Sequence, residues 1–229
     1  MAQAILLDIE GTTTPIDFVH NTLFPFAKSR VAGYVQQNLA DVKFEIGQLA
    51  EEREADSDYT PELRIESANS VSDYLKFLID TDRKSTPLKS IQGMIWRTGY
   101  ESGDLVSVVY PDVAEAFVRW KSEDKTIAIY SSGSVLAQQM IFKYSDQGDL
   151  TRYIDQYFDT TTGHKREPES YSKIAAELEV AAEDILFISD IPEELDAAAQ
   201  SGYHTALSVR PGNAEANTGH KRVESFNHI

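Results

Sequence analysis

Short apolar runs alternate with stretches whose apolar residues recur at helical spacing, and this rhythm constrains the fold more than any other feature of the chain. The runs Ala4–Leu7, Thr126–Tyr130, Ile185–Ile188 and Thr205–Val209, with Gln156–Phe158 as a weaker fifth, are short and mostly end in polar or turn residues. Runs of that kind read as strands buried on both faces, as in parallel sheets covered by helices. Between them, Asp112–Lys121 carries Val113, Ala116, Phe117 and Trp120 on one stripe, and Val135–Tyr144 carries Leu136, Met140 and Phe142. Glu169–Leu178 and Glu193–Gln200 read as further helices, the latter closed by Gly202. Strand and helix in turn predict an α/β sheet with right-handed crossovers.

Residues 17–105 break the rhythm. Val31, Tyr34, Val35 and Leu39 space as one helical face, and Val71, Tyr74, Leu75 and Leu78 as another. The acidic run at 51–58, EEREADSD, reads as a solvated helix face or loop. The expected organisation is an α/β core of residues 1–16 and 106–229, interrupted after its first strand by an all-helical insertion, 17–105. The polar tail from Pro211 reads as loop or a loosely docked terminus.

Composition narrows the function classes. Among 229 residues, 37 acids against 21 bases leave a net charge of −16. Such a surface repels a phosphate backbone and argues against nucleic acid as a partner. A small anionic substrate would need a local positive device, a bound cation or a placed Lys. With no cysteine, disulfides, thiolate metal sites and a Cys nucleophile are excluded. The start, MAQAILLDIEG, lacks the basic region and apolar length of a signal peptide. No stretch approaches the ~20 apolar residues of a membrane span, so a soluble cytoplasmic protein without a membrane partner is expected. His164 and Glu167 lack a partner His at zinc spacing. Neither a P-loop nor a Gly-x-Gly-x-x-Gly is present.

In open α/β sheets ligands bind outside the carboxyl ends of the strands. After the first run comes Asp8-Ile9-Glu10-Gly11-Thr12-Thr13, and after the second Ser131-Ser132-Gly133-Ser134. Gly163-His164-Lys165 follows the weak run, and Ser189-Asp190 follows the next, with Glu193 and Glu194 close by. Singly, each has a plain structural use. A strand-end Asp or Ser caps the next helix, and a lone Lys is ordinarily a solvated side chain. Together they put carboxylates, hydroxyls and one ammonium on a single sheet edge.

The ordered set of Asp-x-Glu-Gly-Thr, strand-end Ser, Lys and an acidic strand end resembles the haloacid dehalogenase superfamily. The runs LLDIEGTTTPI, IYSSGSV, GHK, LFISD and VRPGNA, with Gln92–Arg97, are similar to its enolase-phosphatase family of methionine salvage. That resemblance implies a Rossmann-like core with helices on both faces, and makes the insertion an all-helical cap domain. It implies a monomer that uses one Mg²⁺ per chain to act on a small phosphorylated metabolite. Asp8 would be the nucleophile, with Asp8 and Asp190 holding the metal and Glu10 joining them through its main-chain carbonyl. The Glu10 side chain, where the superfamily usually has Asp, would then be the general acid and base. Ser131, Ser132 and Lys165 would bind phosphate, and Glu194 would act from behind them. The physics agrees: a carboxylate is already ionised at neutral pH, and its approach to a phosphate dianion requires a cation.

The base for enolisation stays open between Glu10 and a residue of the insertion such as His20, which is otherwise an ordinary surface histidine. Trp96 and Tyr100 suit either a methylthio pocket or the core. Hydrolytic dehalogenation would use the same Asp without metal, but a halide leaving group needs neither Glu10 nor Asp190. A binding module without chemistry would have little reason to keep so costly a charge cluster. A phosphatase for another metabolite would use the same core residues.

Overall fold

The computed structural model describes residues 2–81 and 83–229. It begins with β1 (Ala4–Leu7), the single turn α1 (Ile16–Phe18) and a π-helical segment, Val19–Leu23. Four helices follow: α2 (Phe24–Asn38), α3 (Lys43–Glu54), α4 (Ala68–Asp80) and α5 (Thr86–Ser102). Then come α6 (Pro111–Ser122), β2 (Thr126–Tyr130), α7 (Val135–Lys143), β3 (Gln156–Phe158) and α8 (Pro168–Leu178). The chain closes with β4 (Ile185–Ser189), α9 (Pro192–Gln200), β5 (His204–Ser208) and β6 (Lys221–Val223). It divides into two units, Met1–Val19 with Val106–Ile229, and His20–Leu105.

The first unit is a six-stranded parallel sheet in the order β3-β2-β1-β4-β5-β6. β1 lies inside the sheet because Ala4, Ile5, Leu6 and Leu7 are all apolar and all buried. Successive side chains alternate between faces. Ile5 and Leu7 join Val113, Phe117, Trp120 and Ile129 on one side, while Ala4 and Leu6 join Tyr130, Tyr171 and Phe187 on the other. Each fully buried side chain of this size stabilises the fold by about 1.5–3 kcal/mol. Pro111, Pro168 and Pro192 open α6, α8 and α9. Proline at that position loses no helical hydrogen bond and presets φ.

Two expectations are corrected. The tail is not merely loop: Lys221–Val223 adds a sixth strand beside β5, and a 3₁₀ turn follows at Phe226–His228. The strand is an edge of three residues with only Val223 buried, so it carries no apolar run to betray it. Nor is the terminus loosely docked. Phe226 is fully buried, and Arg119 donates to Phe226 O at 2.7 Å and Ile229 O at 3.0 Å.

The second unit is helical. Ser67 and Ser85 cap α4 and α5 through their hydroxyls, and Gly103 ends α5 at φ +79°. Its core includes Val31, Val35, Leu49, Val71, Leu75, Leu78, Ile91 and Ile95. Tyr100 is buried, and so is Trp96, which donates Nε1–H to Leu23 O at 2.8 Å. Both therefore pack as core residues. His20 is exposed, its ring 6.1 Å from that of Phe24. No helix among the described residues is long and apolar enough to cross a membrane.

Asp112, in the first turn of α6, ties the tail to the sheet. It accepts from Phe226 N (2.7 Å) and Ser225 Oγ (3.0 Å) and pairs with the buried Arg210 (2.9 Å). Burial opposes its ionisation, but the bonds from Arg210, Phe226 and Ser225 win and hold its pKa below the ordinary 3.8. Its stabilisation is thus present above that value and lost as pH falls through the depressed one. Asp112→Asn should cost about 3 kcal/mol at pH 7, because Arg210 is left buried without a counter-charge. Urea unfolding across a pH series should show the variant and wild type converging once pH drops below the depressed pKa.

Candidate active site

The strand order decides which chemical groups meet. β1 lies between β2 and β4, with Leu7 in register with Ile129 and Ile188. Asp8 N extends the ladder by one bond, to Ile188 O at 3.0 Å. The Asp8 carboxylate therefore emerges between the ends of β2 and β4, where the chain order reverses and open sheets bind ligands. Asp8, Glu10, Ser131, Ser132, Lys165 and Asp190 all line one cleft there, with Ile16, Ile191 and Glu194. Its volume of about 110 Å³ is several times what one water needs. That suits a phosphoryl-sized group, and a longer substrate must extend beyond these residues.

The turn after β1 is tightly wound. The N–H groups of Thr12, Thr13 and Thr14 all point to Ile9 O at 2.9–3.2 Å, and Gly11 N donates to Thr14 O at 2.8 Å. Thr13 Oγ1 donates to Asp8 O (3.2 Å) and Ile9 O (3.3 Å). Gly11 takes φ +66°, and a Cβ there would stand 2.4 Å from Asp190 Oδ2. Only glycine fits a left-handed backbone pressed against a carboxylate.

On the β2 side, Ser131 is buried and Ser132 exposed. Ser131 Oγ accepts from Gly133 N at 3.2 Å, which leaves its proton for an anion. Gln138 Nε2 stitches this loop by donating to Gly133 O and Phe158 O, both at 2.8 Å. Ser134 caps α7, so the hydroxyls of this run divide between cap and cleft.

Lys165 is the cationic side chain among the cleft's lining residues, and it is buried. Its Nζ lies 2.6 Å from both Asp8 Oδ1 and Glu194 Oε2. Tyr171 Oη holds its backbone by donating to Lys165 O at 2.6 Å. Burial works against this ammonium, yet Asp8 and Glu194 together raise its pKa above that of an ordinary lysine. Glu194, in the first turn of α9, also accepts from Ser189 Oγ at 2.9 Å. Burial and the charge of Asp8 raise its pKa in spite of Lys165. Asp190 is pushed up to about 7, first by burial and then by Asp8 and Glu194.

Asp8, Glu10, Asp190 and Glu194 thus face one ammonium, an excess of negative charge in a buried place. A divalent cation would relieve it. Asp8, Asp190 and main-chain carbonyls are hard oxygen donors of the kind Mg²⁺ takes, with waters completing its shell. Among the described residues no three His, Cys, Asp or Glu side chains gather as a metal cage, so main-chain oxygens and waters would have to supply the remaining ligands.

Reading the strand ends missed the segment after β5. Ser208 Oγ and Asn213 Nδ2 donate to Gly11 O at 3.0 and 2.8 Å, and Arg210 Nε to Thr12 O at 3.3 Å. The signal was present, since VRPGNA follows a strand as the other loops do and carries an Arg and an Asn. Gly11→Ala should cost about 1–2 kcal/mol from the left-handed backbone alone and displace Asp190 as well. Urea denaturation measures the first effect. The second should appear as reduced Mg²⁺ binding in a substrate-free titration.

The profile of the haloacid dehalogenase-like hydrolases matches residues 2–202. An enolase-phosphatase E1 of Leptospira borgpetersenii serovar Hardjo-bovis is 50% identical over 222 residues, covering 96% of this chain and 95% of that protein. An enolase-phosphatase E1 of Synechococcus elongatus is 49% identical over 230 residues, covering 98% and 96%. The crystal structure of the Unknown transcript 4 protein of Saccharomyces cerevisiae superimposes with a TM-score of 0.80 at 35% identity, over 100% of both chains. The chain belongs to the haloacid dehalogenase-like hydrolases and, among them, to the family of the enolase-phosphatases.

Proposed function

We propose that this protein is a Mg²⁺-dependent enolase-phosphatase of methionine salvage. Its substrate would be 2,3-diketo-5-methylthiopentyl-1-phosphate, converted first to the enol phosphate and then to 1,2-dihydroxy-3-keto-5-methylthiopentene and phosphate. The observation that carries this reading is the buried Asp8, held by Lys165 at 2.6 Å, in one cleft with Glu10 and Asp190. The near-half identity to enolase-phosphatases over almost the whole chain supports the substrate. The helical unit is assigned the role of a cap that sets substrate choice. A cytoplasmic monomer belongs to the same reading.

Asp8 attacks phosphorus, and the bond from phosphorus to the substrate oxygen breaks. Glu10, protonated at that moment, hands its proton to the leaving oxygen. Lys165 steadies the charge on the transferring group and keeps Asp8 aimed. Ser131 donates its hydroxyl proton to a phosphate oxygen, and Ser132 borders the same space from its exposed position. Glu10, now a carboxylate, takes a proton from water. That water attacks the aspartyl phosphate, releasing phosphate and restoring Asp8. Asp8, Asp190 and the carbonyl of Glu10 would hold Mg²⁺. The ion would neutralise the phosphate and polarise the substrate oxygens. For the preceding enolisation the base is assigned to Glu10, the cleft carboxylate that the phosphatase steps already use to move protons.

Phosphate release and enol absorbance, followed together on the diketo phosphate with and without Mg²⁺, test the reading. Both signals should appear only with metal, vanish with EDTA and return on adding Mg²⁺. Cleavage of simple phosphate esters alone would leave the Asp8 chemistry and remove the salvage-pathway role. Asp8→Asn should release no phosphate above background while keeping a native circular dichroism spectrum. Glu10→Gln should lower kcat by about 100-fold or more. Its deficit should shrink on p-nitrophenyl phosphate, whose leaving group needs little help from an acid.

A further inference from the structure

Asn213 occupies a place that the chemistry above leaves unused. Arg210-Pro211-Gly212-Asn213 forms a tight turn after β5, closed by Asn213 N donating to Arg210 O at 3.1 Å. Pro211 and Gly212, the latter at φ +90°, are the residues a type II turn requires at its two central positions. The turn presents the Asn213 side chain to the loop after β1. Its Nδ2 donates to Gly11 O at 2.8 Å and Ser208 O at 3.2 Å. Two carbonyls on that side fix the amide's orientation, because the opposite flip would set oxygen against oxygen. The Oδ1 atom is therefore turned the other way, buried and without a protein hydrogen-bond partner. It stands 2.7 Å from the point where a Cβ on Gly11 would lie, and Asp190 Oδ2 stands 2.4 Å from the same point. Gly11 is the only residue that leaves room for both. A buried amide oxygen left without a donor is destabilising, so a donor outside the protein's own groups is called for.

We propose that Asn213 is a positioning residue of the cation site: its amide nitrogen ties Gly11 to the end of β5, and its amide oxygen accepts a hydrogen bond from a water held by the cation beside Asp190. The inference rests on the cation reading above. Groups that orient a metal's ligands from behind typically change affinity 10–100-fold when removed.

Mg²⁺ is titrated calorimetrically into substrate-free protein, with melting followed by circular dichroism with and without Mg²⁺. Wild type should bind, and Asp190→Asn should lose most of that binding. Asn213→Ala should fold and bind Mg²⁺ about tenfold more weakly or worse. Asn213→Asp keeps an acceptor and loses the donor, so its Mg²⁺ affinity should fall less than that of Asn213→Ala. Asn213→Ser replaces Asn213→Ala should the latter fail to fold. Undiminished binding in Asn213→Ala would overturn this inference alone. An equal loss in both variants would trace the effect to the Gly11 tie and overturn the acceptor role. Absence of binding in wild type would overturn the cation reading and this inference with it.

Discussion

A lysine ammonium buried between two carboxylates is the interaction on which the rest of the site depends. Lys165 touches Asp8 and Glu194 at the same distance, 2.6 Å. Without that charge, two carboxylates would be buried beside each other, at a cost that a fold of ordinary stability does not easily absorb. The surrounding residues serve this contact. Tyr171 anchors the lysine's backbone, Ser189 holds Glu194, and the β1–β4 ladder sets Asp8 at the meeting point. The cluster remains overcharged on the acidic side, which is the condition a divalent cation answers.

The same arrangement shows how an acidic protein handles an anionic substrate. The net charge of −16 repels phosphate at a distance. Attraction has to be local: one buried ammonium, a hydroxyl with its proton left over, and oxygen donors that accept a cation. Because Asp8, Lys165 and Ser131 are buried rather than on the surface, salt screens them little and their short-range field dominates.

Much of this was legible beforehand. The five apolar runs are strands in the structure, with boundaries moved by a residue at β4 and β5. Three helices start one residue earlier than their periodicity suggests, because proline fills the first helical position without contributing to the apolar stripe. The strand-end residues Asp8, Glu10, Ser131, Ser132, Lys165 and Asp190 face one cleft. What escaped was short or polar. β6 has two exposed basic residues in three. Ser208, Arg210 and Asn213 act through backbone carbonyls of a loop 197 to 202 positions away, a partnership that has no local signature. Trp96 gave no sign that its indole N–H is bonded to Leu23 O.

Local patterns along the chain are enough to set the class of fold and the chemical types at the sheet edge. Hydrophobic period and turn residues act over a few positions, and each functional group lies on the loop that leaves its own strand. Which of those groups touch is settled by packing in three dimensions. That depends on strand order, which placed β4 beside β1 and so Asp190 beside Asp8, and on the crossover that swung Lys165 between two carboxylates. Strand order minimises the free energy of the whole sheet and its two covering layers, a sum over contacts far apart in the chain. No single run of residues contains that sum, and for this reason the partner of Gly11 at the far end of β5 became visible only in three dimensions.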